Sequence, residues 1–154
     1  MDYAEIKQQA QEYFNEKFEK GNFFLDDAIA NNKRERLQMA SFYLHQTCEN
    51  YFYAIRLVFN LHNPKQHNLG KLLSSVRRYS PDIPKVFPRD TEEEKRLFKL
   101  VKAAYVEARY NPGFIVTKED IDALILKAEA LQKVTQQICK QKIKEYGEKE
   151  NLSF

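Results

Sequence analysis

Four glycines and five prolines in 154 residues leave the chain few places to turn. A fold of many short strands needs frequent turn residues, so this scarcity points to long uninterrupted elements. No apolar run approaches the roughly 20 residues of a membrane-spanning helix, and no membrane partner is expected. Met1-Asp2-Tyr3-Ala4-Glu5 has neither the basic start nor the apolar block of a secretory signal. The two cysteines, Cys48 and Cys139, fall within helical periodicity and read as free thiols of a reducing compartment. The expected location is the cytoplasm. Charge of one sign is also scarce: 25 Lys and Arg face 22 Asp and Glu, a net of +3. Such a surface is mixed and solvated, and lacks the strong basic excess usual in nucleic-acid-binding proteins.

What the chain does have is apolar spacing at three and four residues almost throughout. Its length suits one domain with its own core. Tyr3, Ile6, Ala10, Tyr13, Phe14 and Phe18, then Phe24, Leu25, Ala28 and Ile29, define a first helix that Gly21 kinks or breaks. Asn31-Asn32 is its expected stop, because Asn tolerates the left-handed conformation that closes helices. A second helix is expected from near Lys33 through Leu37, Leu44, Cys48, Tyr51, Ile55, Val58 and Leu61, ending before Pro64. A short one covers about Leu69 to Tyr79, and the prolines from Pro81 to Pro88 mark an extended connection.

Thr91 with Glu94 forms a capping-box signature, and Glu92, Glu93 and Glu94 suit the positive end of a helix dipole. That helix carries Leu97 to Ala108 and stops at Pro112-Gly113. The last begins after Thr117, with Asp120 in the capping-box position, and runs to Ile143. The polar tail, 144–154, is expected to fray. The fold class is therefore all-α: an up-and-down bundle of four long helices plus one short helix, spanning 1–154 as a single domain.

Side-chain specificity concentrates at two corners. The first is the helix bearing Leu44-His45-Gln46 and Glu49 with the turn Pro64-Lys65-Gln66-His67-Asn68-Leu69; the second is Ala108-Arg109-Tyr110. An arginine at a helix end can fork onto a phosphate, and a tyrosine beside it can stack on a base. The plainer alternative is that Arg109 neutralises its own helix's last carbonyls while Tyr110 packs in the core. For His67 the residues favour a structural cap, shared with Asn68. His45, Cys48 and Glu49 share one helix face, but three groups from one stretch without a complementary pair make a weak metal site. No metal and no cofactor are expected. The basic groups Lys33-Arg34, Arg77-Arg78, Lys95-Arg96 with Lys99 and Lys102, and Lys140 onward are interleaved with acids.

Taken in order, these pieces resemble the HEPN (higher eukaryotes and prokaryotes nucleotide-binding) family, from about Tyr13 to Ile138. In that family a helix with His or Gln and a Glu precedes a Pro, a spacer and His-Asp-Leu, and Ala-Arg-Tyr ends the next long helix. Here Asn68 replaces the Asp of His-Asp-Leu. The resemblance implies a helical bundle, a homodimer, and a module that binds nucleotide or RNA phosphate or pairs with a nucleotidyltransferase domain or protein. Arg109 would hold phosphate, Tyr110 would stack, and His67 with Lys71 would border the cleft. No Gly-Ser pair occurs, so the nucleotidyltransferase metal site cannot be built from this chain, which fits the C-terminal domain of a longer protein as well as a complete one.

Active ribonucleases of the family place a His after the Arg with four to six residues between them, and here Phe114, Ile115 and Val116 stand instead. The expectation therefore leans away from an enzyme. The spacing does occur from Arg56 to His62, but residues six apart on a helix point about 240° apart. A metal-independent endoribonuclease toxin using Arg56 and His62, or Arg109 with a distant His, is one alternative. A dimerisation domain without ligand, joined through surplus aromatics, is another.

Overall fold

The computed structural model describes residues 2–62 and 65–152. Among them five α-helices and no strand occur: α1 (Tyr3–Lys33), α2 (Leu37–Asn60), α3 (Leu69–Val76), α4 (Glu92–Tyr110) and α5 (Lys118–Leu152). A single 3-10 turn, Arg77–Tyr79, extends α3. The all-α bundle of four long helices and a short one is thus the architecture. No helix among the described residues is long and apolar enough to cross a membrane.

The helix α2 is the spine, packing against α1, α3, α4 and α5. That follows from its sequence, because Leu44, Tyr51, Phe52, Ala54, Ile55 and Val58 are all fully buried, on more than one face. Each large side chain removed from water there contributes about 1.5–3 kcal/mol. The helix α1 crosses α2 without a break at Gly21, where the sequence suggested a kink. A Cβ at position 21 would meet the Tyr51 ring at 2.5 Å, so the glycine serves close approach between helices. Tyr51 then donates to Asn22 (2.5 Å), which also accepts from Gln132 (2.8 Å), tying α1, α2 and α5 together.

Several boundaries differ from expectation for identifiable reasons. Asn31 and Asn32 remain inside α1, and the left-handed residue is Glu35 (φ 56°). Asn32 is held in the helix because its amide donates to Asp122 (2.8 Å) and accepts from Lys118 (3.1 Å) on α5. Accordingly α2 starts at Leu37 rather than near Lys33. Its end is closed by Leu61 at φ 54°, and the expected stop at Pro64 lies outside the described residues. Segment 80–90 is a series of turns that buries Ile83, Val86 and Phe87, not an extended link.

Both capping boxes form. Glu94 N donates to Thr91 Oγ1 (3.1 Å) while Thr91 N donates to Glu94 Oε1 (2.9 Å). Asp120 N donates to Thr117 Oγ1 (3.1 Å), and Asp120 also accepts from Thr117 N (3.3 Å) and Arg96 (2.6 Å). The polar stretch from Lys144, expected to fray, is helical as far as Leu152. Tyr146 is the cause: its ring is buried and its hydroxyl donates to Val58 O (2.8 Å).

Candidate functional site

Tyr105, one helical turn before Arg109 on α4, gathers the residues that carry chemistry. Its ring lies 4.8 Å from the His67 ring at 10°, stacked, and 5.0 Å from that of His45. Phe42 stacks on it at 6.3 Å, and the Arg109 guanidinium carbon sits 4.4 Å from its centre. Arg109 also lies over Tyr110 (4.9 Å) and Phe42 (5.3 Å). Its Nε donates back to Tyr105 O (2.7 Å), which fixes the head group against the end of α4. The plain reading of Arg109 as a cap for its own carbonyls therefore holds at Nε. Tyr110 is 72% exposed, so it is not a core residue.

The second half of the corner is built by a polar ladder on α2. His45, Glu49 and Tyr53 recur every four residues and so share a face. All three reach the segment before α3. His45 Nε2–H donates to His67 O (3.0 Å), and its Nδ1 lies beside the Gln46 side-chain amide (3.1 Å). The Tyr53 hydroxyl donates to Gln66 O, and His67 Nδ1–H donates to Glu49 Oε1. Asn68 alone caps α3, accepting from Lys71 N (3.1 Å). The expectation of His67 as a shared cap is corrected: its ring turns to the buried carboxylate of Glu49 and away from the helix start.

Burial sets the charge states. His45 is fully buried and its pKa falls to about 4 through desolvation, so it is neutral at physiological pH. Desolvation raises the Glu49 carboxyl, and the hydrogen bond and charge of His67 work against that rise. Burial lifts the Tyr53 hydroxyl to about 12 and the Cys48 thiol to about 12, leaving both protonated. Among the described residues no three His, Cys, Asp or Glu side chains converge as a metal site.

The four residues expected at the site are unequally connected. Arg109 and His67 both lie on the Tyr105 ring and Tyr110 joins them only through the Arg109 guanidinium, whereas Lys71 stands exposed in the first turn of α3. Arg56 and His62 are not brought together. Arg56 is partly buried in α2, with Nε enclosed and lacking a hydrogen-bond partner among the described residues, and His62 is exposed beyond the Leu61 cap. Tyr105 and Phe42 are site residues that the sequence reading does not pick out, and Glu49 figures there only in the family-like helix and in a weak metal face. The one legible signal was the four-residue spacing of Tyr105 from Arg109 and of His45 from Glu49.

An all-α bundle whose α2 and α4 present a basic and aromatic corner to solvent is the class these observations define. The sequence matches the HEPN domain family over residues 14–138, most of its length, and the chain belongs to that family of nucleotide- and RNA-related modules. No curated protein matches it.

Proposed function

We propose that the corner around Tyr105 binds the phosphate of a nucleotide or of RNA. Arg109 holds the phosphate, Tyr110 offers its exposed face to a base, and His67 and Lys71 border the anion. One observation carries this reading. The Arg109 guanidinium is fixed by a backbone carbonyl and by aromatic rings, yet among the described residues it pairs with no carboxylate. A pre-oriented, unneutralised fork at the surface is what phosphate recognition needs. Titration with adenine nucleotides and a short single-stranded RNA at low salt tests it, and absence of affinity for both would remove the proposal.

A nucleotidyltransferase domain or protein is the proposed partner, and a second copy of this chain the proposed assembly. Co-expression with capture checks the first, and light scattering of the purified chain checks the second. A protein that stays monomeric at high concentration rules out the homodimer.

A metal-independent ribonuclease is the second reading, favoured by the Glu49–His67 pair, whose imidazole shares the Tyr105 ring with Arg109. Glu49 holds the proton on Nδ1, which leaves His67 Nε2 unbonded among the described residues. In this reading Nε2 takes the ribose 2′-hydroxyl proton and the 2′-oxygen bonds to phosphorus. The bond to the 5′-oxygen breaks, and that oxygen takes a proton from water while Arg109 offsets the growing charge. Intact RNA after long incubation, or cleavage that survives His67→Ala, defeats it.

A further inference from the structure

The exposed side of α4 carries more charge than the corner itself requires. Lys95, Lys99, Lys102, Val106, Arg109 and Tyr110 are all exposed. At 100° per residue they fall within a strip about 100° wide along one side of the helix. Lys95 is neutralised by Glu92 (3.4 Å). From Lys99 to Tyr110 the strip holds no acid: the only carboxylate in that stretch, Glu107, lies off it and accepts from Asn111 (2.6 Å).

The neighbouring helix adds to the strip. A Cβ on Gly70 would stand 3.8 Å from Lys102 Cδ and 4.0 Å from Phe98, so the start of α3 lies against this side of α4. Lys71 is exposed next to that crossing. Lys71, Lys99, Lys102 and Arg109 form no ion pair among the described residues. Four unpaired cations thus border one line that ends at Tyr105 and Tyr110.

We infer that this line is a phosphate track and that the ligand of the corner is a single-stranded polynucleotide, not a mononucleotide. The inference rests on the binding reading above and names its substrate class. Lys99 and Arg109 are separated by about 15 Å along the helix axis at 1.5 Å per residue. One phosphate cannot bridge that distance. About four nucleotides can, at the roughly 3.4 Å spacing of a stacked strand. Lysines follow the backbone without reading sequence, while the exposed Tyr110 ring receives a base at one end.

The test compares adenosine monophosphate with oligoadenylates of two, four and eight nucleotides, in ribose and deoxyribose forms, at about 50 mM salt. The wild-type chain is compared with Lys99→Gln/Lys102→Gln, whose side chains are exposed and outside the core. Affinity is expected to rise at least tenfold from one to four nucleotides in both sugar series, then to level off. The double variant should lose that gain, keep its affinity for the monophosphate, and flatten the salt slope by about 1.4, the share of two phosphate contacts. Equal affinity for all lengths, or a length gain unchanged in the double variant, overturns the track and leaves the corner standing. A gain confined to the ribose series assigns recognition to the 2′-hydroxyl and also overturns it. Loss of all binding, monophosphate included, defeats the corner and the track together.

Discussion

His67 Nδ1–H donates to the carboxylate of Glu49, joining an exposed ring on the segment before α3 to a nearly buried acid in the middle of α2. Removing the carboxylate leaves only the exposed His67 donor, which water can satisfy, so what is lost is the net worth of one hydrogen bond to an ionisable partner. Glu49→Ala is therefore expected to lower stability by about 1–3 kcal/mol. Glu49→Gln, which keeps an acceptor at the same place, should cost less. Denaturant midpoints of the three proteins check the order, and equal losses for both variants would show that the bond is not what holds the segment.

The same ladder makes stability depend on pH in two opposed ways. His45 has a folded pKa of about 4 against an ordinary 6.5, so the unfolded chain binds the extra proton first. Its contribution is complete above 6.5 and is lost as pH falls through 4, amounting to about 3 kcal/mol. Glu49 is raised above its ordinary 4.5, so its contribution is present below 4.5 and is lost as pH rises through the folded value. The two slopes oppose each other in the overlap, and each is read as wild type minus variant. Against His45→Gln the wild type should lose stability on acidification from 6.5 to 4. Against Glu49→Gln it should lose stability on raising the pH above 4.5. Parallel stability–pH curves for wild type and His45→Gln would mean that His45 is not buried neutral.

The bundle was readable in the sequence because apolar periodicity and capping chemistry are local, and both capping boxes fell where Thr91 and Thr117 placed them. The ends of α1 and α2 were less readable because partners 90 residues away decide them, as with Asn32 and Asp122. Arg109, Tyr110 and His67 could be picked from their neighbourhoods along the chain. Tyr105 could not, since a tyrosine at helical spacing looks like core until α2, α4 and the His67 segment converge on it. From Lys144 onward the composition is polar, and among the described residues Tyr146 is the one buried side chain that ties this stretch to the fold.

Gly21 offers a test of the α1–α2 crossing. An alanine improves intrinsic helix propensity by roughly 1 kcal/mol. Here it would drive a methyl against Tyr51, a fully buried ring fixed by its bond to Asn22. Overpacking of this kind costs about 1–3 kcal/mol, and occasionally more. Gly21→Ala should therefore lower the melting temperature although alanine suits a helix better. A rise would show that the helices have room to separate.

Tyr146 tests whether the end of α5 belongs to the fold. Tyr146→Phe removes only the hydroxyl that reaches Val58 O. A loss of about 1 kcal/mol is expected, as for a typical intramolecular hydrogen bond. Amide exchange should quicken around Val58 and the last turns of α5. Unchanged exchange in both places would mean that the bond does not pin the helix end.

Arg109 separates binding from folding most directly. Its head group is exposed and bonded only to the carbonyl one turn back, so Arg109→Ala removes a helix-end interaction and ring contacts at the surface. Stability should change by less than about 1 kcal/mol, the range for a cation at a helix C-terminus. Hydrogen bonds from a charged donor are worth about 1.5–3 kcal/mol, so loss of the phosphate contact should weaken nucleotide affinity at least tenfold. Arg109→Lys keeps the charge but not the planar fork and should recover only part of that loss. Calorimetric titration beside a thermal melt reads both quantities on one sample. Full affinity in Arg109→Ala would place the phosphate elsewhere, and full rescue by lysine would reduce the site to net charge without the geometry that Tyr105 imposes.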